Sequence, residues 1–175
     1  IIAPDGTISG NSIGDGQWEW HTTSGAALCE DTPPPPSCDA NAQQIIVSDT
    51  DTQVDSQDAV LLTFIHPWWT SNIVDSGAKW IWNVNPIADP VIQTIKTFTR
   101  NFNIVGTPTG ATLDVAADNS YSVSVNGNPV NTDNGNNFYL ADQDSINIPV
   151  NYLLSGPNTI TFTVTNFAQN TNQAN

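Results

Sequence analysis

The stretch ATLDVAADNSYSVSVNG, residues 111–127, constrains the fold of this chain more than any other. Apolar side chains alternate with polar ones through Leu113 and Val115, and the alternation resumes over 121–125. A period of two is the signature of a strand that buries one face and exposes the other. The stretch therefore predicts two half-buried β-strands that pair as a hairpin.

Two turn signals divide this stretch. Asp118-Asn119-Ser120 lies between the alternating segments and predicts the loop of the hairpin. Asn126-Gly127 supplies the positive φ angles of a tight turn. Pro129 cannot donate a hydrogen bond to a ladder, so we expect the second strand to end before it.

The rest of the chain carries further strand patterns and no sustained helical period. The last of them, TITFTVTNF, places Ile160, Phe162 and Val164 on one face. Together the patterns predict an all-β protein, an antiparallel β-sandwich of the jelly-roll type. The further predicted strands lie near 17–23, over Ala59–Ile65 as a continuous buried run, around Trp80 and Trp82, over 95–104, over 146–150 and over 159–167.

The length of 175 residues fits one domain with an appended segment. We expect the sandwich core over 59–168 and a tail over 169–175. Residues 1–58 are predicted to form an N-terminal extension that holds a disulfide-closed polyproline loop and an acidic loop.

The charge balance excludes several partners. Three Lys and Arg residues stand against 17 Asp and Glu residues, which gives a formal net charge of −14. Such a surface repels nucleic acid and anionic membranes. No apolar run approaches the roughly 20 residues that a membrane-spanning helix needs, so membrane insertion is not expected.

The two cysteines indicate the compartment. Cys29 and Cys38 flank the sequence EDTPPPPS, which is too rich in proline for a helix or strand and lacks further zinc ligands. A short-range disulfide, which requires an oxidising environment, is the interpretation we favour. The oxidising environment predicts an extracellular or cell-surface location. The chain starts at Ile1 without a signal-like segment, which predicts a mature, processed protein.

An acidic loop follows the polyproline stretch and offers several hard oxygen ligands of the kind that calcium binds. The spacing does not match an EF-hand, because Val54 and Val60 occupy the positions of its glycine and glutamate. A solvated acidic loop without metal is the alternative, and no other cofactor is expected. The candidate ligands are Asp49, Asp51, Asp55 and Asp58.

Two adjacent tryptophans, Trp68 and Trp69, follow a His-Pro pair. Neighbouring residues of an extended chain face opposite sides, so one indole can enter the core while the other stands outside as a platform for a sugar ring. Asn72 and Asp75 are candidate hydrogen-bonding partners for that sugar. The alternative is that both indoles pack under a neighbouring loop.

Arg100, the single arginine, lies in the apolar phase of the strand predicted over 95–104. Either the strand is bulged there, or the guanidinium pairs with a carboxylate. We favour a structural ion pair over a binding role.

The strings AKWIW, FTRNF, ATLDVAADNSYSVSVNG and LLSGPNTITFTVTNFA resemble the galactose-binding-like jelly-roll modules of secreted proteins. They are similar to the accessory domains of rhamnosidase-type glycosidases. The resemblance covers residues 78–168 and implies an antiparallel β-sandwich with either a sugar-binding or a purely structural role. Such modules share no fixed binding residues.

One departure from that family concerns the end of the chain. In the family a further apolar strand follows the segment equivalent to 159–167 and closes the sheet, whereas here the sequence ends at Asn175. We expect an open sheet edge that a strand from another molecule could complete. The candidate donor residues are Ile1, Ile2 and Ile8.

These observations favour a non-enzymatic structural subunit of an extracellular filament or surface appendage, a homopolymer held together by strand exchange. The alternative is a secreted carbohydrate-binding module that uses exposed tryptophans to bind glycans. An enzyme is not expected, because the chain has no Gly-x-Ser-x-Gly or His-Glu-x-x-His motif.

Overall fold

The computed structural model describes residues 17–24, 43–69, 73, 77–88, 90–135, 137–139 and 143–169, with the backbone alone for 17–24. Several predicted features lie outside these residues. They are the Cys29–Cys38 disulfide, the donor residues Ile1, Ile2 and Ile8, and the candidate sugar ligands Asn72 and Asp75.

Within the described residues the chain forms twelve β-strands and one 3-10 helix over Val150–Tyr152. In chain order the strands are β1 (Gln17–Ser24), β2 (Gln43–Val47), β3 (Gln53–Val54), β4 (Gln57–Asp58), β5 (Val60–Leu61), β6 (Ile81–Trp82), β7 (Thr94–Ile104), β8 (Pro108–Ala116), β9 (Ser120–Val125), β10 (Asn128–Asp133), β11 (Asp144–Ile148) and β12 (Gly156–Asn166).

The strands form two principal antiparallel sheets and a small two-stranded pair. The four-stranded sheet has the order β11-β8-β1-β2, and the six-stranded sheet has the order β10-β9-β12-β7-β3-β4. Strands β5 and β6 pair with each other. Buried side chains from both principal sheets form one hydrophobic core, as in a β-sandwich. The predicted all-β antiparallel sandwich is confirmed.

Strand β12 is central to the six-stranded sheet. It pairs with β7 along its whole length and with β9 on its other side. Ile160, Phe162 and Val164 point into the core and are at most 1% exposed. The strand predicted over 159–167 from its alternation is confirmed.

The predicted hairpin between the two halves of 111–127 is wrong. Strand β8 pairs with β1 and β11, whereas β9 pairs with β10 and β12, so the chain crosses from one sheet to the other between them. Ala116, Ala117 and Asn119 in the crossing are buried. The alternation identifies two half-buried strands correctly, but it does not identify the partner of either one.

The Asn126-Gly127 turn forms as predicted and joins β9 to β10. Both residues have positive φ, 49° and 78°, which a two-residue hairpin turn of this hand requires. Strand β9 ends before Pro129, which instead lies in β10 at the edge of the six-stranded sheet, where the register shifts between Pro129 and Asn131. No pattern in the sequence predicted β10.

The continuous buried strand predicted over Ala59–Ile65 is also wrong. Only Val60–Leu61 is a strand, and Phe64 and Ile65 are exposed. The core position beside Phe98 is filled instead by Trp82, with a ring-centroid distance of 5.5 Å. The apolar run therefore lies mostly on the surface, although Ala59 itself is buried.

Residues 17–58 contribute strands to both principal sheets. Strand β1 lies between β8 and β2 in the four-stranded sheet, and β3 pairs with β7 in the six-stranded sheet. The sheets therefore extend across the boundary that the sequence suggested at residues 58 and 59. In the part of the chain that the structure describes, no helix is long and apolar enough to cross a membrane.

Candidate functional site

The most distinctive surface feature is a row of rings that follows β5. We call Phe64, His66 and Trp68 the aromatic platform. The centroids of Phe64 and His66 are 6.4 Å apart, and those of His66 and Trp68 are 5.3 Å apart, both in edge-to-face geometry. Phe64 and Trp68 are each 63% exposed. The two rings at the ends of the row therefore offer apolar surface to solvent.

Trp69 anchors this row to the sandwich. Its ring stacks on the buried Trp80 with a centroid distance of 4.2 Å and an interplanar angle of 17°. Its Nε1–H donates to the Asp118 Oδ2 atom at 2.9 Å. Asp118 lies in the crossing between β8 and β9, so the anchor ties the platform to the point where the chain changes sheets.

The backbone of the platform is a turn held by His66. Its carbonyl oxygen accepts a hydrogen bond from the Trp69 N–H at 2.9 Å, and its Nδ1 atom accepts from the Trp68 N–H at 3.2 Å. Because Nδ1 accepts a hydrogen bond, it carries no proton. In a neutral imidazole the proton is then on Nε2. The His66 Nε2–H is therefore a hydrogen-bond donor between the two exposed rings.

The segment before the platform is also tied down. The Leu62 N–H donates to the Trp80 carbonyl oxygen at 2.8 Å. The Thr63 N–H donates to Asn85 Oδ1 at 3.2 Å, and Asn85 Nδ2 donates to Thr63 Oγ1 at 3.0 Å. These contacts pair the hydroxyl of Thr63, which precedes Phe64 in the chain, with the Asn85 amide.

The two adjacent tryptophans lie on opposite sides of the chain, as predicted, but on a turn and not on an extended strand. Trp68 stands outside, while Trp69 is half-buried in its stack. Phe64, His66 and Asp118 are absent from the residues predicted for this site. The spacing of Phe64, His66 and Trp68 in steps of two is the sequence signal that could have identified one ringed face.

The predicted acidic loop pairs with cations of β7. Arg100 Nη1 lies 2.8 Å from Asp49 Oδ1, and Arg100 Nη2 lies 3.1 Å from Asp51 Oδ2. Arg100 is thus engaged in an ion pair, as its position in the apolar phase suggested. Burial raises the pKa of Asp49, and the opposing effect of Arg100 is smaller.

Asp55 belongs to a separate ion pair. It occupies the two-residue turn between β3 and β4 with Ser56, and both residues have positive φ. Its carboxylate lies 2.7 Å from Lys96 Nζ and accepts from the Thr97 N–H at 3.1 Å. These hydrogen bonds lower the pKa of Asp55, the Lys96 bond most.

The four aspartates proposed as calcium ligands do not form a single cluster. Asp49 and Asp51 face Arg100, Asp55 faces Lys96, and Asp58 lies opposite Gln53 in the β3–β4 hairpin. Within the described ranges, no group of three or more His, Cys, Asp or Glu residues is placed to hold a metal ion.

A buried polar network joins the two principal sheets. The Tyr121 hydroxyl of β9 donates to the Asp144 carboxylate of β11 and accepts from Asn131 Nδ2 at 2.8 Å. Asn137 Nδ2 also donates to Asp144, at 3.0 Å. Burial, together with Asp144, raises the pKa of Tyr121, so the phenol stays protonated and acts as a structural donor.

Comparisons with known proteins add one structural similarity. No protein-family profile matches the sequence, and no curated protein sequence matches it significantly. The fold is similar to part of an α-L-rhamnosidase from Streptomyces avermitilis, solved in complex with L-rhamnose, with a TM-score of 0.41 and 17% sequence identity. The similarity covers 92% of this chain and 19% of that enzyme, so this chain spans about a fifth of the enzyme's length.

Proposed function

We propose that this protein is a non-catalytic, extracellular carbohydrate-binding module whose ligand stacks on Trp68. The observation that carries the proposal is an indole that is 63% exposed on a backbone that is held in place. The Trp68 N–H is bonded to His66, whose ring also contacts the indole, and the next residue, Trp69, is stacked on Trp80 and bonded to Asp118. An exposed ring on a fixed backbone loses less conformational entropy on binding than a ring on a mobile loop.

The chemistry of the platform suits a sugar ring. The C–H face of a pyranose packs on the flat face of an indole, and its hydroxyl groups need hydrogen-bonding partners at the border. The His66 Nε2–H supplies a donor between Phe64 and Trp68, and Asn85 and Thr63 supply amide and hydroxyl groups. The platform therefore combines apolar rings with a few polar groups, as sugar sites require.

The charge of the platform points to a neutral glycan. Residues 62–69, LTFIHPWW, contain no Asp, Glu, Lys or Arg. The chain as a whole carries a formal net charge of −14, which repels acidic polysaccharides at low ionic strength. Neutral hexose or deoxyhexose polymers are the ligand class that we infer.

A neutral glycan array tests the proposal. The parent protein should be retained on at least one neutral glycan, and Trp68→Ala should weaken retention by about fivefold or more, since one aromatic stacking contact is worth about 1–3 kcal/mol. Tyr139→Ala removes another exposed aromatic ring, on the segment between β10 and β11, and serves as the matched control. Retention that is equal in the parent and Trp68→Ala would refute the proposal.

A second candidate function is that of a subunit of an extracellular filament. It is favoured by a difference between edge strands β10 and β11. Edge strand β10 carries Pro129 and a register shift, both of which discourage pairing with another chain. Edge strand β11 pairs in regular register with β8 and, among the described strands, with β8 alone. Its exposed residues Ser145 and Asn147 are uncharged. Strand β11 is therefore the edge better suited to accept a strand from a neighbouring copy.

In this candidate the donor is the N-terminal segment with Ile1, Ile2 and Ile8. Electron microscopy of a dilution series would show filaments that persist, and deletion of residues 1–10 would leave monomers. The double variant Ser145→Lys/Asn147→Lys should also block assembly, because lysines on an edge oppose strand addition. Filaments that form unchanged in both variants would eliminate strand exchange at β11.

A further inference from the structure

The chain contains two Asn-Gly pairs, Asn126-Gly127 and Asn134-Gly135, one at each end of β10. Asn-Gly is chemically special because glycine has no side chain to obstruct its own backbone nitrogen. That nitrogen can attack the side-chain carbonyl carbon of the preceding asparagine and close a five-membered succinimide ring. The two pairs have the same chemistry, so their surroundings decide which one reacts.

Asn126 is locked by its neighbours. Its Nδ2 group donates to the Tyr152 carbonyl oxygen and to Asn158 Oδ1, both at 2.8 Å. Its Oδ1 atom accepts from the Thr159 N–H at 2.8 Å. Moving the side-chain carbon of Asn126 onto the Gly127 nitrogen would break all three hydrogen bonds, and the folded state therefore protects this pair.

Asn134 is in the opposite situation. Both Asn134 and Gly135 are exposed, just after β10 ends. The Gly135 N–H donates to Asp133 Oδ1 at 2.7 Å. A carboxylate is therefore already in place to accept the proton that the Gly135 amide must lose before its nitrogen becomes a nucleophile.

We propose that Asn134 is a site of self-catalysed modification, with Asp133 as the base. The Gly135 nitrogen bonds to Asn134 Cγ while its proton passes to Asp133. The Cγ–Nδ2 bond then breaks, and the amide nitrogen takes that proton and leaves as ammonia. Water opens the succinimide to an aspartyl or an isoaspartyl residue. No electrons are transferred, and the net change is the exchange of ammonia for water.

The product changes the surface at one end of β10. It places a new carboxylate beside Asp133, on a chain that is already strongly acidic. An isoaspartyl linkage also adds one backbone carbon immediately after the last strand residue. The modification would therefore accumulate with time next to edge strand β10. This inference does not depend on the sugar-binding or filament proposals.

Peptide mapping by mass spectrometry tests this inference on the full-length protein, incubated in mildly alkaline buffer. Aspartyl and isoaspartyl products should accumulate at Asn134 at least about tenfold faster than at Asn126, since three hydrogen bonds oppose the second reaction. The variant Asp133→Asn keeps a hydrogen-bond acceptor but removes the base, and it should slow the reaction at Asn134 several-fold. In denaturant the two sites should react at similar rates.

Two results would overturn the inference. Equal rates at Asn126 and Asn134 in the folded protein would show that the fold does not select the site. An unchanged rate in Asp133→Asn would remove Asp133 as the base.

Discussion

Strand β12 is less apolar than the segment 59–65, yet it is the more deeply buried of the two. Over 160–164 of β12 every second side chain is apolar and buried, and the strand lies between two neighbouring strands. In the segment 59–65 the apolar residues are consecutive, only two of them lie in a strand, and Phe64 and Ile65 are exposed. An alternating pattern fits one face of a sheet, whereas a continuous run needs cover on both faces.

The comparison of these two segments shows that the number of apolar residues in a segment does not by itself indicate whether it lies in the core. The segment 59–65 leads directly into the aromatic platform, and its exposed side chains are available for contact with a ligand. Variants in β12, in the platform and in the β3–β4 turn should therefore differ strongly in their effects on stability and on glycan retention.

Phe162→Ala should have the largest effect. Phe162 is 1% exposed at the centre of β12, and its removal leaves a cavity in the core. We expect a loss of about 3–5 kcal/mol in the free energy of unfolding. Chemical denaturation measures this loss, and a loss below about 1 kcal/mol would show that β12 is not the core strand described here.

Trp69→Phe should have an intermediate effect. Phenylalanine keeps an aromatic ring on Trp80 but removes the hydrogen bond from Nε1 to Asp118. A bond to a carboxylate contributes about 1.5–3 kcal/mol, and we expect a loss near the lower end because Trp69 is only half-buried. The same variant should weaken glycan retention, since it loosens the support of Trp68. Unchanged stability with unchanged retention would contradict the anchoring role.

Phe64→Ala should leave the free energy of unfolding within about 0.5 kcal/mol of the parent, because its ring is mostly exposed. Retention on a neutral glycan should nevertheless fall. Ile65→Ala, the adjacent exposed apolar residue outside the ring row, is the matched control and should keep full retention. A large loss of stability in Phe64→Ala would show that Phe64 is buried in the core and would contradict the surface location of the segment 59–65.

Asp55→Asn should have the smallest effect, and it should depend on pH. The folded protein lowers the pKa of Asp55 from its ordinary value of 3.8, so the stabilisation is present above that value and is lost as the pH falls through the folded pKa. The variant should be slightly less stable at neutral pH and should converge with the parent in acid. Thermal melts across pH measure this, with Asp58→Asn as control. Parallel curves at all pH values would contradict the ion pair with Lys96.

The parts of the fold that the sequence predicted are those encoded by local pattern. The alternation of Ile160, Phe162 and Val164 identifies β12, and the Asn126-Gly127 pair identifies the turn that joins β9 to β10. The crossing between β8 and β9 could not be predicted, because alternation shows which face is buried and not which strand is adjacent.

The candidate site was predicted only in part, for a similar reason. Trp68 and Trp69 are conspicuous in the sequence, and the prediction that one indole lies outside and the other inside describes them correctly, although a turn and not an extended strand separates the two. The hydrogen bond between Trp69 and Asp118 joins residues 49 positions apart, so nothing local indicates it. The contact of Trp82 with Phe98 in the core is likewise long-range, and no local pattern indicates that Phe64 stays on the surface.

The most direct test of the central claim follows the indole N–H signals by NMR while neutral oligosaccharides are added. If the saccharide stacks on Trp68, the indole N–H signal of Trp68, assigned with Trp68→Phe, should shift when the saccharide binds. The signals of Trp69, which is bonded to Asp118, and of the buried Trp82 should move little. A Trp68 signal that stays in place for every neutral saccharide that the protein retains would contradict the aromatic platform as the binding site.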